Sequence, residues 1–177
     1  MERNLTTGSI WKNIFYFSLP YLLSYFLQTL YGMADLFIIG QYEGVAVSIG
    51  SQVMHMITVI IVGLAMGTTV SIAQAVGAKD KKQASRCTGN TITLFLGVSV
   101  VLMVILLLLV KPIVLVMSTP SEAVSGTVAY LTICFIGIPF ITAYNIISSI
   151  FRGLGDSKSP MYFIAVACAA NIALDYL

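Results

Sequence analysis

Two carboxylates lie inside long apolar stretches of the sequence. Asp35 is followed directly by four apolar residues, and Asp175 comes near the end of a stretch that starts at Ser159. A carboxylate at the centre of a bilayer costs about 2.5–3.5 kcal/mol on insertion scales, so such an acid is expected to face the protein interior or a water-filled cavity. Both acids fall past the midplane of their predicted helices, so they can share one site.

Each acid has a polar residue four positions before it, on the same face of a helix. Tyr31 precedes Asp35, with Gln28 one turn earlier on the same stripe, and Asn171 precedes Asp175. Two carboxylates close together in low dielectric cannot both stay ionised cheaply, so a proton or a Na⁺ ion is needed to neutralise them. The spacing predicts a coupling site for H⁺ or Na⁺ and no other metal site.

Prolines and isolated polar residues mark further positions of interest. Pro20 removes a helix hydrogen bond, so we expect a kink or hinge in the first span, and Gly137 with Pro139 predicts the same in the fourth. Asn145 is a candidate for the lining of a cavity. His55, the single histidine, is interpreted as a hydrogen-bonded packing residue.

The elements that must position these groups are membrane-spanning helices. Of the 177 residues, 58% are hydrophobic and only 9% are charged, against about 25% charged in a soluble domain. The charged residues leave five stretches long enough to cross a bilayer, where only a helix satisfies its own backbone. The sequence therefore predicts an all-α, polytopic membrane bundle with five transmembrane helices, at about residues 13–40, 45–78, 87–110, 123–151 and 159–177.

Basic residues predict the orientation, because Lys and Arg in short loops stay in the cytoplasm. Eight of the nine lie before the first span, between the second and third, or between the fourth and fifth, and only Lys111 lies on the other side. We therefore expect a multi-pass protein of the cell (inner) membrane with a cytoplasmic amino terminus. The net charge of +2 argues against a nucleic-acid partner. No nucleotide-binding loop or catalytic constellation is visible, so we expect neither an enzyme nor a cofactor beyond the coupling ion.

Several segments resemble the multidrug and toxic compound extrusion (MATE) family of secondary transporters, in its bacterial form. The likeness runs through the whole chain in order and spacing. It is carried by Ser18-Leu-Pro20, by Gln28-Thr-Leu-Tyr-Gly-Met-Ala-Asp35 with the following Leu-Phe-Ile-Ile-Gly40, by Ala75-Val-Gly-Ala-Lys-Asp80, by Phe151-Arg-Gly-Leu-Gly-Asp-Ser-Lys-Ser-Pro160 and by Asn171-Ile-Ala-Leu-Asp175.

The resemblance implies two six-helix lobes that exchange cytosolic drugs, often cationic and amphipathic, for external H⁺ or Na⁺. It implies that Asp35, Asn171 and Asp175 form the coupling site with Tyr31 in their hydrogen-bond network. By the same resemblance Gln28 lines the cavity, and Pro20 is where the first helix bends. Residues 1–177 then form an amino-terminal lobe that is incomplete, and transport needs the missing carboxy-terminal lobe or a second copy.

Two other functions remain open. The chain could belong to an exporter or flippase of a lipid-linked or oligosaccharide substrate, which basic residues lining the cavity would favour. It could also be a truncated membrane fragment that does not transport, as its abrupt apolar end suggests.

Overall fold

Five helices make up the part of the chain that the structure describes. This computed structural model describes residues 8–175, without the side chains of residues 31, 34–36, 38–43, 174 and 175. The helices are α1 (Ile10–Gly77), α2 (Lys81–Val116), α3 (Val124–Ile136), α4 (Ile138–Gly153) and α5 (Lys158–Asp175). Within the described residues there is no strand. The predicted all-helical class is confirmed.

The helix α1 departs most from the predicted boundaries. The predicted spans 13–40 and 45–78 both fall within its 68 residues, with no interruption of helix between them. Gln28 and Val62 nevertheless line one cavity, whereas a straight helix would hold them about 50 Å apart at 1.5 Å per residue. The helix α1 must therefore reverse direction between Gln28 and Val62. We call residues 10–30 its first arm and Gly44–Gly77 its second arm.

The predicted fourth span, 123–151, is two helices rather than one. The helices α3 and α4 meet at Gly137 with a bend of 46°, where Pro139 lies in the first turn of α4. Proline is tolerated in a first helical turn because its missing N–H would have no partner inside the helix. The break comes where Gly137 and Pro139 predict it.

Length and apolar composition make the second arm of α1, the helix α2 and the bent pair α3–α4 candidates to cross a membrane, among the residues described. The helix α2 extends beyond the predicted span 87–110 at both ends, so Lys81, Lys82 and Arg86 lie in its first turns rather than in a loop. Only 11% of its most apolar window is buried. Its outer face is suited to contact lipid.

The apolar core joins four helices. Phe135 and Leu131 of α3 are fully buried beside Ile138 of α4. They pack with Ile57 and Ile61 of the second arm and with Val110 and Val114 of α2. This cluster holds the bend between α3 and α4 against the rest of the bundle.

Two turns with the same internal design connect α1 to α2 and α4 to α5. In the second, the N–H groups of Gly155 and Asp156 donate to the carbonyls of Arg152 and Phe151, which closes the end of α4. Gly155 has φ +87°, the left-handed conformation that this closure requires. Lys79 occupies the equivalent position after α1, with φ 59°. In both turns an aspartate follows and caps the next helix.

Asp156 is the cap of α5. Its Oδ1 accepts the backbone N–H groups of Lys158 and Ser159 at 3.0 and 3.1 Å, and its Oδ2 accepts the Ser159 hydroxyl at 2.6 Å. Partial burial raises the pKa of the Asp156 carboxyl, but these hydrogen bonds outweigh that effect and leave its pKa below the ordinary value. The ionised cap therefore stabilises the folded turn.

The two turns lie at the same end of the bundle because α4 ends against the second arm of α1. A Cβ atom at Gly153 would stand 2.8 Å from Cβ of Ile72 and 3.1 Å from the carbonyl oxygen of Thr69. The Thr69 hydroxyl donates to the carbonyl of Ser149 at 3.1 Å. Only a residue without a side chain lets the two helices approach so closely.

Replacing Gly153 by alanine should therefore destabilise the bundle by about 1–3 kcal/mol, since the added methyl group forces α4 away from α1. The matched control is Gly67→Ala in the second arm, where no atom lies within 4 Å of the added Cβ. Unfolding in detergent, followed by circular dichroism during a titration with dodecyl sulfate, measures both. A Gly153→Ala protein as stable as the Gly67→Ala protein would contradict this account of the contact.

Stability should also fall in acid because of Asp156. Its folded pKa lies below the ordinary 3.8, so its contribution is complete above that value and is lost as the pH falls through the folded pKa. Between about pH 6 and about pH 3 the thermal midpoint of the wild type should drop more than that of Asp156→Asn, whose amide still caps but does not titrate. Every other acid is common to both proteins, so parallel pH curves would exclude this role for Asp156.

Candidate functional site

A polar cavity lies between the two arms of α1, the helix α4 and the start of α5. Its volume open to the centre of a water molecule is about 30 Å³, enough for one or two waters. The first arm supplies Tyr21, Ser24, Tyr25 and Gln28, and the second arm supplies Val62. The lining is completed by Tyr144, Asn145, Arg152, Ser157, Pro160 and Ile164.

Three of the polar lining residues are more than nine-tenths buried. Ser24, Asn145 and Ser157 are exposed by 6%, 8% and 6%. The Ser24 hydroxyl donates to the carbonyl of Pro20 at 2.8 Å, and Nδ2 of Asn145 donates to the carbonyl of Ile141 at 2.8 Å. Burying polar groups is costly unless they are hydrogen-bonded, so these bonds make a polar interior possible at this depth.

Arg152 brings a positive charge to the cavity from the last turn of α4. Its Nε–H donates to the carbonyl of Ser148 at 3.0 Å, and the guanidinium carbon lies 4.9 Å from the centre of the Tyr21 ring. Such a cation–π contact contributes about 0.5–1 kcal/mol when exposed and about 2 kcal/mol when desolvated. These two contacts fix the half-buried guanidinium between α4 and the first arm of α1.

The structure brings together two of the residues singled out from the sequence. Gln28 and Asn145 line the same cavity, together with Tyr144. The side chains of Tyr31, Asp35 and Asp175 lie outside the described residues. Their role in coupling stays a prediction.

Asn171 is on α5, and its side-chain oxygen Oδ1 is buried with no hydrogen-bond partner among the described residues. A buried amide oxygen without a donor costs about 1–3 kcal/mol. Such a group calls for a proton donor or a cation. Asn171 is not among the residues that line the Arg152 cavity.

Pro20 is buried inside the first arm, and the helix continues through it. The Ser24 hydroxyl that bonds its carbonyl lies one turn later. A hinge at this position stays a prediction.

His55 corrects the interpretation made from the sequence. It is exposed on the second arm of α1, in an open depression with Ser48, Ser51, Gln52 and Met56, and so is not packed inside the bundle. Ser51 is tied to α3 through its hydroxyl, 3.2 Å from that of Tyr130. Histidine and glutamine are rarely found facing lipid within a membrane span.

The sequence predicts a cavity lined by Gln28 and Asn145, but it places Arg152 in a cytoplasmic turn rather than in that cavity. The helical spacing of the polar residues could have indicated the lining of the cavity. Tyr21, Ser24 and Gln28 follow one another at helical intervals, and Asn145 and Arg152 are two turns apart. Which helices meet at the cavity depends on how the two arms of α1 pack against α4 and α5, and helical spacing alone does not show that packing.

An all-helical bundle with exposed apolar faces, and with helices long and apolar enough to cross a membrane among the described residues, indicates a multi-pass membrane protein. The MatE family model matches residues 20–177. The chain therefore belongs to the MatE family, and relatives of it are named as probable multidrug resistance proteins.

Two relatives are similar over almost the whole chain. The probable multidrug resistance protein YoeA of Bacillus subtilis is 32% identical over 170 residues, which are 94% of this chain and 37% of the relative. The probable multidrug resistance protein NorM of Thermotoga maritima is 30% identical over 168 residues, 93% of this chain and 36% of the relative. The chain thus spans less than two fifths of the length of these relatives.

A solved structure agrees in fold. A MOP superfamily transporter from Pyrococcus furiosus superimposes with a TM-score of 0.88 at 29% identity, covering 95% of this chain and 38% of that one. That transporter is described as having a binding pocket of reversed polarity, which suggests a different function for it. The predicted likeness to the amino-terminal lobe of a MATE transporter is confirmed.

Proposed function

We propose that this chain serves in a secondary active antiporter, which exports drugs or toxic organic cations in exchange for H⁺ or Na⁺. Membership of the MatE family carries the proposal, since the relatives are named multidrug resistance proteins. The amino terminus, with the turns after α1 and α4, would lie in the cytoplasm. The close contact of Gly153 with Ile72 supports this orientation, because it gathers the basic residues of both turns at one end.

In the proposed mechanism Asp35, Asn171 and Asp175 bind the coupling ion, with Tyr31 supporting the carboxylate. The buried, unpaired oxygen of Asn171 supports this assignment, because an amide oxygen next to a carboxylate is a ligand for Na⁺ and an acceptor for a protonated acid. Binding of the ion neutralises the acids, and its release restores their charge. A cationic substrate competes with the coupling ion, because it binds when the two acids are ionised.

A second function is favoured by one observation. Arg152 lines the same cavity as Gln28 and Asn145, and a basic lining is what an exporter of a lipid-linked, phosphate-bearing substrate requires. This candidate differs from the first in the charge of its cargo.

Exchanging Asp35 for asparagine should abolish efflux, because the amide cannot gain and lose a proton or balance the charge of Na⁺. Ethidium efflux is measured in pump-deficient cells, with the 177-residue chain and with a chimera in which it replaces the matching segment of the Thermotoga maritima relative. Glu122→Gln, at an exposed acid in the turn before α3, is the control. Membrane insertion is checked for every variant.

Efflux by the chimera that falls to the level of the empty vector with Asp35→Asn, and not with Glu122→Gln, supports the coupling role. Undiminished efflux by an inserted Asp35→Asn chimera would refute it. Efflux by the chain alone would show in addition that these helices act as an assembly.

Removing the Asn171 amide should weaken the binding of the coupling ion. Na⁺ at about 100 times its Kd stabilises a folded protein by about 2.7 kcal/mol. Asn171→Leu should lose most of this gain, while Asn90→Leu, the same exchange at an exposed position of α2, should keep it. Thermal unfolding in detergent with NaCl or choline chloride measures the difference.

If protons couple transport, the same variant should instead flatten the dependence of the thermal midpoint on pH. A midpoint that responds to Na⁺ and pH equally in Asn171→Leu and in the wild type would speak against a role for Asn171 in either case.

A further inference from the structure

We propose that the Arg152 cavity receives one or two oxygens of a small oxyanion, of the kind presented by a phosphate group, with the Arg152 guanidinium as the main ligand. The cavity is defined by the eleven lining residues given above. None of these is acidic, and Arg152 is the single charged side chain among them. Among the described residues the lining is therefore net positive, which suits an anion and disfavours an organic cation.

The guanidinium is held so that its outer edge remains available. Its Nε–H donates to the carbonyl of Ser148, and its central carbon lies over the ring of Tyr21, 4.9 Å from the ring centre. The terminal nitrogens of arginine carry four further N–H groups, in a planar fork that matches two oxygens of a phosphate or carboxylate. A fixed fork loses little side-chain entropy when an anion arrives.

Neutral donors surround the charge. The hydroxyl groups of Tyr21, Tyr25 and Tyr144 and the amide of Gln28 belong to the same lining. Tyr25 of the first arm and Tyr144 of α4 line this cavity together with Arg152. An oxyanion accepts hydrogen bonds and donates none or few, so a lining of hydroxyl, amide and guanidinium donors is chemically matched to it.

The position of the cavity supports the same ligand. Arg152 is the residue before Gly153, which packs on the second arm of α1. That arm leads into the turn with Lys79 and into the first turn of α2 with Lys81 and Lys82. Several exposed positive charges at one end of the bundle raise the local concentration of anions. A phosphate group can come there from an acidic lipid headgroup or from a soluble phosphate compound.

The inference is independent of the coupling site, because it concerns equilibrium binding at other residues. Binding of an oxyanion at Arg152 would explain how an exporter of a phosphate-bearing substrate, the second candidate function, recognises that substrate. If efflux of a cation were established instead, the anion would be a bound regulator or lipid at the same cavity.

Isothermal titration calorimetry tests the proposal. The full chain in phosphatidylcholine nanodiscs is titrated with sodium phosphate, against sodium chloride of equal ionic strength. We expect saturable binding that Arg152→Gln weakens by about tenfold to a hundredfold, the usual effect of losing charge-assisted hydrogen bonds. Lys158→Gln, which removes the same charge from an exposed residue at the same end, should change the affinity by less than about twofold.

A second variant separates binding from folding. Arg152→Lys keeps the charge but lacks the planar fork, so its affinity should lie between those of the wild type and Arg152→Gln. Circular dichroism and a single peak in size-exclusion chromatography confirm that each variant is folded. If Arg152→Gln fails to fold, the loss of affinity in Arg152→Lys decides the matter.

Nanodiscs that also contain phosphatidic acid distinguish the two sources. Phosphate binding that disappears in these discs identifies a lipid headgroup as the occupant, and unchanged binding identifies a soluble phosphate compound. No saturable binding of phosphate in phosphatidylcholine discs, or equal affinity in the wild type and the folded Arg152 variants, overturns the proposal.

Discussion

The close approach of α4 to the second arm of α1 is the constraint on which the rest of the structure depends. Gly153 permits it and the Thr69–Ser149 hydrogen bond secures it. Because α4 ends there, the next residue back along the helix, Arg152, reaches across to Tyr21 on the first arm. One contact without side-chain bulk thus sets the distance between two helices and also places the charge of the cavity. If α4 packed farther from α1, the two helices would not be in contact and Arg152 would not reach Tyr21.

Much of this fold could be predicted from the distribution of charge, because an ionised side chain is expensive inside a bilayer and so marks the ends of spans. The break at Gly137 and Pro139 was equally predictable, since proline lacks the N–H group that helix continuity needs. The reversal of α1 follows from the two predicted spans at 13–40 and 45–78, but the unbroken helix between the arms was not predicted, because the charged residue between those spans was interpreted as a loop. Arg152 was assigned to a turn by the same rule, that a charged residue marks the end of a span. A charge near the end of a span can point into the bundle as readily as into water.

The candidate site shows the same division. Helical spacing put Gln28 on a stripe and singled out Asn145 as a cavity residue, but the meeting of the two depends on the packing of α1 and α4. His55 shows the opposite failure. Its apolar neighbours in the sequence predict burial, yet its face of the second arm is open, beside Gln52 and Ser48. Periodicity says which residues share a face and says nothing about which face has a neighbour.

The two aspartate-capped turns have a mechanical consequence. In each, the hydrogen bonds that close one helix and the carboxylate that starts the next are only a few residues apart. A connector bonded in this way has little slack. We therefore expect a tilt of α4 to be passed on to α5, and a tilt of the second arm of α1 to be passed on to α2. In each pair, a movement of one helix is then expected to reach the other helix through the short hydrogen-bonded turn, with little of it lost by deformation of the turn.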